Sequence, residues 1–260
     1  MFGIDNRVPY TPRQLAELFH LVFLRALVGK GEDKARIALK GGCNLRFYFE
    51  SVRYSEDIDF DVAGIPKDTL KNKKRLLRSP LILSPLKSKG IEIREVTAPK
   101  QTETTQRWKL GLIAAGSSMP LRTKVEFSRR NVIQGAEFAS IGGEMLRPYA
   151  LPSFLATHYT AHAAISQKIH ALAERTEPQA RDVFDLNLLF ARSEAASLFL
   201  PEAEKRWLGT AIDHTLDISF DEYRSKVVAY LDPSQLDVYA GRPAWDAMQA
   251  SVSSSLEALR

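Results

Sequence analysis

The sequence has a single cysteine among its 260 residues, Cys43. One thiol can form neither an internal disulfide nor a zinc site built from cysteines, so both are excluded. No histidine lies close to Cys43 along the sequence, and a nucleophilic thiol needs a base beside it. We therefore predict that Cys43 is a small apolar packing residue.

Long apolar runs are also missing. No segment reaches the ~20 apolar residues that a membrane-spanning helix requires. The first ten residues lack the basic and then apolar pattern of a signal peptide. The hydrophobic share of 45% and the charged share of 26% are typical of a globular protein with a large core. These features predict a cytoplasmic protein with no membrane partner.

Acidic residues are scarce in one part of the chain. The net charge is only +5, but residues 67–89 contain eight basic residues and a single acid, Asp68. The eight are Lys67, Lys71, Lys73, Lys74, Arg75, Arg78, Lys87 and Lys89, and a second basic set consists of Arg122, Lys124, Arg129 and Arg130. Such patches suit a polyanion, and nucleic acid is the commonest candidate. The alternative is an ordinary solvated helix face.

The apolar periodicity changes along the chain. Thr11-Pro12-Arg13-Gln14 has the form of a capping box, and it predicts a helix that Gly29 and Gly31 end. Strands are predicted at 57–62, 91–96, 107–113 and 121–127. Helices are predicted at 153–174, at 179–192 and onward to the C-terminus. Segment 67–89 also has a helical pattern, which we predict to be broken at Pro80 and Pro85. This distribution predicts an α+β protein, with a mixed-sheet domain at 1–148 followed by a helical domain at 149–260.

The richest chemical pattern combines a glycine pair, Gly41 and Gly42, with Asp57-Ile58-Asp59. Residues i and i+2 of a strand share a face, so the two carboxylates lie side by side and repel each other unless a positive charge sits between them. A divalent cation of the Mg²⁺ or Mn²⁺ type is the natural partner, and a glycine turn lets backbone amides approach a phosphate. The pattern therefore indicates metal-assisted transfer from a nucleoside triphosphate. Surface acids and an ordinary turn are the alternative.

A third carboxylate belongs to the strand predicted at 121–127. Lys124 and Glu126 share one face of it, so Glu126 would join the metal site if this strand lay beside Asp57 and Asp59. The alternative is a surface Lys–Glu pair.

The helices predicted after residue 150 contain further candidates. Lys168 interrupts an apolar helix face, where it either extends its ammonium to water or binds phosphate in a cleft between the domains. Asp182 and Asp185 are one turn apart and share a helix face, but Asp182 could serve only the helix dipole.

Two sets of residues together resemble a known family. Lys40-Gly41-Gly42, Leu45-Arg46 and the run from Arg53 to Phe60 resemble the first motif of the AbiEii/AbiGii toxin family of nucleotidyltransferases, which includes MenT-like toxins. The run from Gln167 to Leu172, with Arg175 and the run from Arg181 to Leu186, resembles its later motifs. The resemblance covers roughly residues 1–200, and residues 200–260 match nothing in it.

The resemblance implies a polymerase-beta-like nucleotidyltransferase fold with a helical C-terminal half. It also implies the toxin of a toxin–antitoxin or phage-defence pair with a cognate antitoxin, and some relatives transfer nucleotides to tRNA ends. By position, the resemblance implies that Asp57 and Asp59 would hold the metal and that Gly41 and Gly42 would form the triphosphate turn. Lys168 would bind the phosphates. Asp182 and Asp185 would complete the catalytic site, and which of these two is catalytic stays open. One departure is Gly42, where the wider superfamily often has serine.

We therefore expect a metal-dependent nucleotidyltransferase that moves a nucleoside monophosphate from an NTP to an acceptor. The favoured acceptor is tRNA, bound by the basic segment 67–89 and the cleft, and Glu126 could help to deprotonate its hydroxyl. The alternatives are a nucleotidyl- or phosphotransferase acting on a small molecule, and a non-catalytic binding module with the same fold.

Overall fold

A seven-stranded mixed sheet lies at the centre of the structure, a computed structural model that describes residues 10–29 and 34–260. The strands are β1 (Ile37–Lys40), β2 (Asp57–Ala63), β3 (Ile91–Gln101), β4 (Thr105–Ala114), β5 (Leu121–Arg130), β6 (Ala136–Ser140) and β7 (Leu155–Tyr159). Their order across the sheet is β3-β4-β5-β2-β1-β7-β6. The pairs β2–β5 and β1–β7 are parallel, and the other neighbours are antiparallel.

Helices pack on the sheet and make up most of the chain after β7. They are α1 (Pro12–Val28), α2 (Gly41–Tyr48), α3 (Lys67–Asn72), α4 (Pro80–Lys87), α5 (Gly143–Leu146), α6 (Ala161–Glu174), α7 (Ala180–Phe190), α8 (Glu202–Lys205), α9 (Leu208–Asp217), α10 (Phe220–Lys226), α11 (Leu236–Tyr239) and α12 (Arg242–Glu257). Within the two described ranges, no helix combines the length and the apolar character needed to cross a lipid bilayer. A mixed sheet followed by helices confirms the predicted α+β class, whereas the division at 148/149 stays a prediction.

The first helix begins where its capping residues predict. The Thr11 hydroxyl accepts a hydrogen bond from the Gln14 amide, and the Gln14 side chain accepts one from the Thr11 amide. Pro12 occupies the first helical position, where its missing N–H costs nothing. Gly29 ends the helix, with its N–H donating to a carbonyl one turn earlier. Gly31 and the first nine residues, on which the signal-peptide expectation rested, lie outside the described residues.

The predicted helix at 153–174 is wrong in its first part. Leu155–Tyr159 forms β7, which lies between β1 and β6 in the sheet. Helix α6 begins only at Ala161, after Thr160 accepts a hydrogen bond from the Ala163 amide as N-cap. Pairing on both sides satisfies the backbone groups of β7, and this outweighs the local helical periodicity. The sheet therefore extends past residue 148.

The segment 67–89 is helical on both sides of a 3-10 turn at Lys73–Arg78. The predicted break at Pro80 is confirmed, because Ser79 before it is extended and Pro80 begins α4. The predicted break at Pro85 is wrong, since Pro85 lies inside α4. Burial of Ile82 and Leu86 in the core holds this turn helical despite the lost hydrogen bond.

The two faces of the sheet differ in character. On β2, Phe60 is fully buried, with its ring centroid 5.0 Å from that of Phe127 and 6.1 Å from that of Phe23 on α1. Asp57 and Asp59 alternate with these core positions and therefore point to the opposite face. One face is thus a core beneath α1, α3 and α4, and the other carries polar groups.

A second apolar core lies among α6, α7, α9 and α12. Leu45 and Phe49, from α2 and its C-cap, pack into this core rather than into the first one. Because Cys43 and Phe47 pack into the first core, α2 connects the two cores.

We predict that Phe60→Ala lowers the free energy of unfolding by about 3–5 kcal/mol, because it removes a buried ring and leaves a cavity between Phe23 and Phe127. Urea unfolding measures the loss. Phe199→Ala is the matched control, since Phe199 is 81% exposed and should change stability by less than about 0.5 kcal/mol. Equal losses in the two variants would contradict this placement of the core.

Candidate active site

The predicted carboxylates lie together on the polar face of the sheet, around the ammonium of Lys124. Its Nζ is 3.1 Å from Asp57, 3.7 Å from Asp59 and 3.9 Å from Glu126. The parallel pairing of β2 with β5 sets this arrangement, because Asp57 lies opposite Lys124 and Asp59 opposite Glu126. The condition under which Glu126 would join the site, that 121–127 lies beside the carboxylate strand, is thus met. The positive charge that the sequence argument required between the acids is supplied by a lysine.

Burial opposes the charge on these acids. It raises the pKa of Asp57 and of Asp59 above the ordinary value, although the charge of Lys124 counteracts it. For Lys124, burial lowers the pKa, but the surrounding carboxylates outweigh this and raise it. The charged acids therefore cost folding free energy, and a further cation beside them would lower that cost.

Glu126 has a second cationic partner besides Lys124. The guanidinium of Arg107, on β4, donates to its carboxylate. The alternative, a surface Lys–Glu pair, holds only in part: Lys124 and Glu126 lie 3.9 Å apart, but both are half-buried and Glu126 also lies beside Asp59. Its catalytic role stays a prediction.

The glycine pair begins α2 directly after β1. Gly41 has φ +68°, and a Cβ there would lie 3.5 Å from Asp59 Oδ2. At Gly42 a Cβ would lie 2.6 Å from Ser55 Oγ. The hydroxyl of Ser55 thus occupies the space that a serine at position 42 would need, which gives a physical reason for the glycine. The amides at the start of α2 are available to an anion.

Lys168, Asp182 and Asp185 form one buried ionic cluster. Lys168 Nζ lies 2.5 Å from Asp185 and 2.8 Å from Asp182. Arg53 donates to both oxygens of Asp185 at 3.1 Å. Arg175 Nη1 lies 2.7 Å from Asp182 Oδ2 in an ion pair without hydrogen-bond geometry. Both aspartates are fully buried, and they share a helix face as predicted.

Two neighbouring cations favour the charged form of Asp185. Burial alone would raise the pKa of Asp185, but Arg53 and Lys168 outweigh it and hold the pKa below the ordinary value.

Lys168 neither extends into water nor stands free in the cleft, because two carboxylates fix its ammonium. It still lines the cavities described next.

Three cavities meet at Asp57 and Asp59. The cleft, about 660 Å³, lies between the sheet and α6–α7 and includes Asp59. The cationic cavity, about 150 Å³, contains Gly41, Gly42 and both aspartates. The strand-face cavity, about 580 Å³, contains Asp57 and lies over β3, β4 and β5. The basic residues that line the first two are Lys40, Arg53, Lys124, Arg130, Lys168, Arg175, Arg181 and Lys226. The cleft is of a size that accommodates a small-molecule ligand.

Sequence reasoning assigned no site role to several of these residues. Arg181 faces Asp59 closely enough for its charge to stabilise that carboxylate, and it forms no ion pair within the described ranges. Lys226, on α10, lies in a region that the sequence motifs did not reach. The signal for Arg175 and Arg181 was present, because both belong to the later motif.

The C-terminal part of the chain packs on the motif loop. The amide of Tyr54 donates to the carbonyl of Tyr230, and Arg53 forms a β-bridge with Leu231. The hydroxyl of Tyr230 donates to Glu56, next to Asp57. These contacts bring Lys226 to the cavity.

The basic segment 67–89 lies on the other side of the sheet. Its apolar residues belong to the core beneath the face opposite Asp57 and Asp59, and none of its basic residues lines the three cavities, although the whole segment is described. RNA contact through 67–89 stays a prediction, but such a contact cannot lie next to Asp57 and Asp59.

Cys43 is buried in the core, as predicted for a packing residue. A histidine does approach it in space, with His20 Nδ1 3.5 Å from its Sγ. Burial raises the pKa of Cys43 well above the ordinary value and lowers the pKa of His20 to about 3. Neither group is charged at neutral pH, so the pair is not a nucleophile with its base.

We predict that Asp185→Asn lowers the free energy of unfolding by about 3–5 kcal/mol at pH 7, because it leaves Arg53 and Lys168 buried without their shared carboxylate. The pKa of Asp185 is lower in the folded than in the unfolded protein, so its charge stabilises the fold at any pH above the unfolded-state pKa. This stabilisation is lost as the pH falls through the folded-state pKa. The difference between wild type and variant should therefore shrink below about pH 3.9. Urea unfolding across pH measures it. Asp213→Asn, at an exposed site on α9, is the control and should show neither effect.

Comparison with known proteins agrees with this architecture. JHP933 from Helicobacter pylori has a similar fold, with a TM-score of 0.60 and 17% identity over 97% of this chain and 93% of that one. MenT4, a nucleotidyltransferase toxin from Mycobacterium tuberculosis, gives a TM-score of 0.55 and 18% identity over 98% of this chain and 87% of that one. No curated protein matches the sequence. The model of the family described as nucleotidyl transferase AbiEii toxin, type IV TA system, matches residues 22–258, well beyond the expected limit near 200, and the chain belongs to this family of nucleotidyltransferases.

Proposed function

We propose that the protein transfers a nucleoside monophosphate from an NTP to a hydroxyl group of RNA, with tRNA as the favoured acceptor. The observation that carries the proposal is the meeting of Asp57 and Asp59 with a cavity lined by cations and by the glycine pair. Within a toxin–antitoxin pair, this activity would be the toxic one, and a cognate antitoxin would neutralise it. Its substrates are cytoplasmic, so we propose the cytoplasm as its place of action.

The triphosphate would lie in the cationic cavity. The amides at Gly41 and Gly42 can donate to phosphate oxygens, and Gly41 leaves room for a close approach beside Asp59. Arg181 and Lys226 line the cavity without an ion-pair partner within the described ranges, so they are free to neutralise phosphate charge. Lys168 adds a charge whose direction its two aspartates fix.

The donor set fits a divalent cation of the Mg²⁺ or Mn²⁺ type. Asp57 and Asp59 offer hard carboxylate oxygens on one face, with pKa values that burial raises and that a cation would lower. Among the described residues no group of three such side chains could enclose a metal alone. This suits Mg²⁺, which usually takes one or two protein carboxylates and completes its shell with phosphates and water. When bound, the ion would neutralise charge on the phosphates.

The residues of the chain would then position the reacting groups. The oxygen of the acceptor hydroxyl forms a bond to the α-phosphorus while the bond from that phosphorus to the β-phosphate oxygen breaks, and pyrophosphate leaves. The hydroxyl proton would pass to Glu126, the carboxylate beside Asp59. Asp182 and Asp185, both engaged by cations in the buried cluster, would act by holding Lys168 and Arg53 in place.

We predict that Asp59→Asn abolishes nucleotide transfer while the fold keeps its stability or gains slightly. Because the pKa of Asp59 is raised in the folded protein, its charged form lowers the free energy of unfolding at any pH above the ordinary pKa of an aspartate. A neutral asparagine removes this cost. Transfer of labelled NMP to total RNA and urea unfolding measure the two effects.

Chelation of divalent ions should abolish transfer by the wild-type protein as well. Asp68→Asn, which removes an exposed carboxylate on α3, is the control and should leave transfer intact. Near-normal turnover by Asp59→Asn would show that the assignment of the site is wrong.

We predict that Arg181→Gln weakens NTP binding by about 1.5–3 kcal/mol, the range for a hydrogen bond to a charged group. Because Arg181 forms no ion pair within the described ranges, the accompanying loss of stability should be small and limited to the effect of its charge on Asp59. Calorimetric titration measures the affinity. Arg206→Gln, at the exposed C-cap of α8, is the control. Unchanged affinity in Arg181→Gln would remove Arg181 from the phosphate site.

A further inference from the structure

The face of the sheet over β3, β4 and β5 carries side chains that the nucleotide site does not use. Strand register places Arg107 opposite Glu126, Lys109 opposite Lys124, and Arg122 opposite Gly111, so these side chains share the face of Asp57. The helices that pack most on these strands belong to the core on the opposite face. The polar face is thus open, and Lys109 and Arg122 are exposed.

This open face reaches Asp57, one of the two carboxylates proposed to hold the cation. The strand-face cavity and the cationic cavity share Asp57, Glu56 and Lys124 among their lining residues. A group lying on the strand face can therefore reach Asp57 from the side opposite the glycine pair. A triphosphate in the cationic cavity and an acceptor on the strand face would meet at this carboxylate.

The face carries four cations, Arg107, Lys109, Arg122 and Lys124, beside three acids, Glu56, Asp57 and Glu95. Arg107 pairs with Glu126 and Arg122 with Glu95, whereas Lys109 forms no ion pair among the residues that the structure describes. Arg122 keeps 66% of its side chain exposed despite its partner, so its guanidinium can also reach a second anion. Neighbouring strands lie about 4.8 Å apart, so cations on β4 and β5 present a row rather than a point.

We propose that this face binds the single-stranded end of the RNA acceptor, with Lys109, Arg122 and Arg107 contacting backbone phosphates and the terminal hydroxyl reaching Asp57. The inference rests on the proposed function and names its acceptor surface. Among the described residues no aromatic ring lines the strand-face cavity, so these residues offer the bases no stacking platform and the contacts read phosphate rather than sequence. A small-molecule acceptor would need only the part of the face next to Asp57.

The segment 67–89 offers a matched comparison on the other side of the sheet. Lys109→Gln with Arg122→Gln removes one exposed lysine and one exposed arginine from the strand face, and Arg78→Gln with Lys87→Gln removes the same pair of charges from the segment. All four positions are on the surface, and thermal unfolding verifies that both double variants fold.

The test measures binding of unfractionated tRNA and of a short single-stranded oligoribonucleotide as a function of salt concentration. The Lys109/Arg122 variant should bind both RNAs several-fold more weakly and should flatten the log–log salt slope by about 1.4, since each single-stranded phosphate contact contributes about 0.7. Its affinity for NTP should equal that of the wild type. The Arg78/Lys87 variant should retain the RNA affinity and slope of the wild type.

Two results would overturn the inference. Loss of RNA binding in the Arg78/Lys87 variant alone would assign the RNA to segment 67–89. Wild-type protein that transfers NMP yet binds neither RNA would assign the acceptor to small molecules. Both results leave the nucleotidyltransferase assignment intact, because that assignment is tested by Asp59→Asn, while the RNA titrations require no turnover.

Discussion

The buried ionic cluster around Asp185 is the contact on which the site depends. Arg53 belongs to the motif loop before β2, whereas Lys168 and Asp185 belong to α6 and α7, so their ion pairs join the sheet to the helices. A buried contact of this kind is favourable only when its charges are paired, and Arg53 and Lys168 both pair with Asp185 and lower its pKa. The same contacts aim Lys168 at the cavities next to the carboxylates.

The carboxylates of β2 pose the opposite electrostatic problem. Asp57 and Asp59 are held near each other with raised pKa values, and Lys124 only partly offsets the cost of their charge. A further positive charge beside them would lower that cost. The two clusters therefore differ, because the charges around Asp185 are paired whereas those of Asp57 and Asp59 are only partly offset.

Local patterns in the sequence were sufficient for much of the fold. Alternation placed Asp57 and Asp59 on one face of a strand, and the capping box at Thr11 marked the start of α1. The short strands β1 and β6 and the strand β7 escaped prediction, because pairing with neighbours rather than local periodicity makes them strands. The predicted break at Pro85 was wrong for a related reason, because packing of Ile82 and Leu86 in the core keeps α4 helical around it.

The sequence by itself determined which acids share a strand face and where the first helix begins, since these depend on spacing along the chain. Only the tertiary structure decided that Lys124 sits between the acids, that Ser55 fills the space beside Gly42, and that Arg53 neutralises Asp185. It also placed segment 67–89 away from the site. Each of these depends on the distance between elements far apart in sequence, which strand pairing and helix packing set and no local pattern encodes.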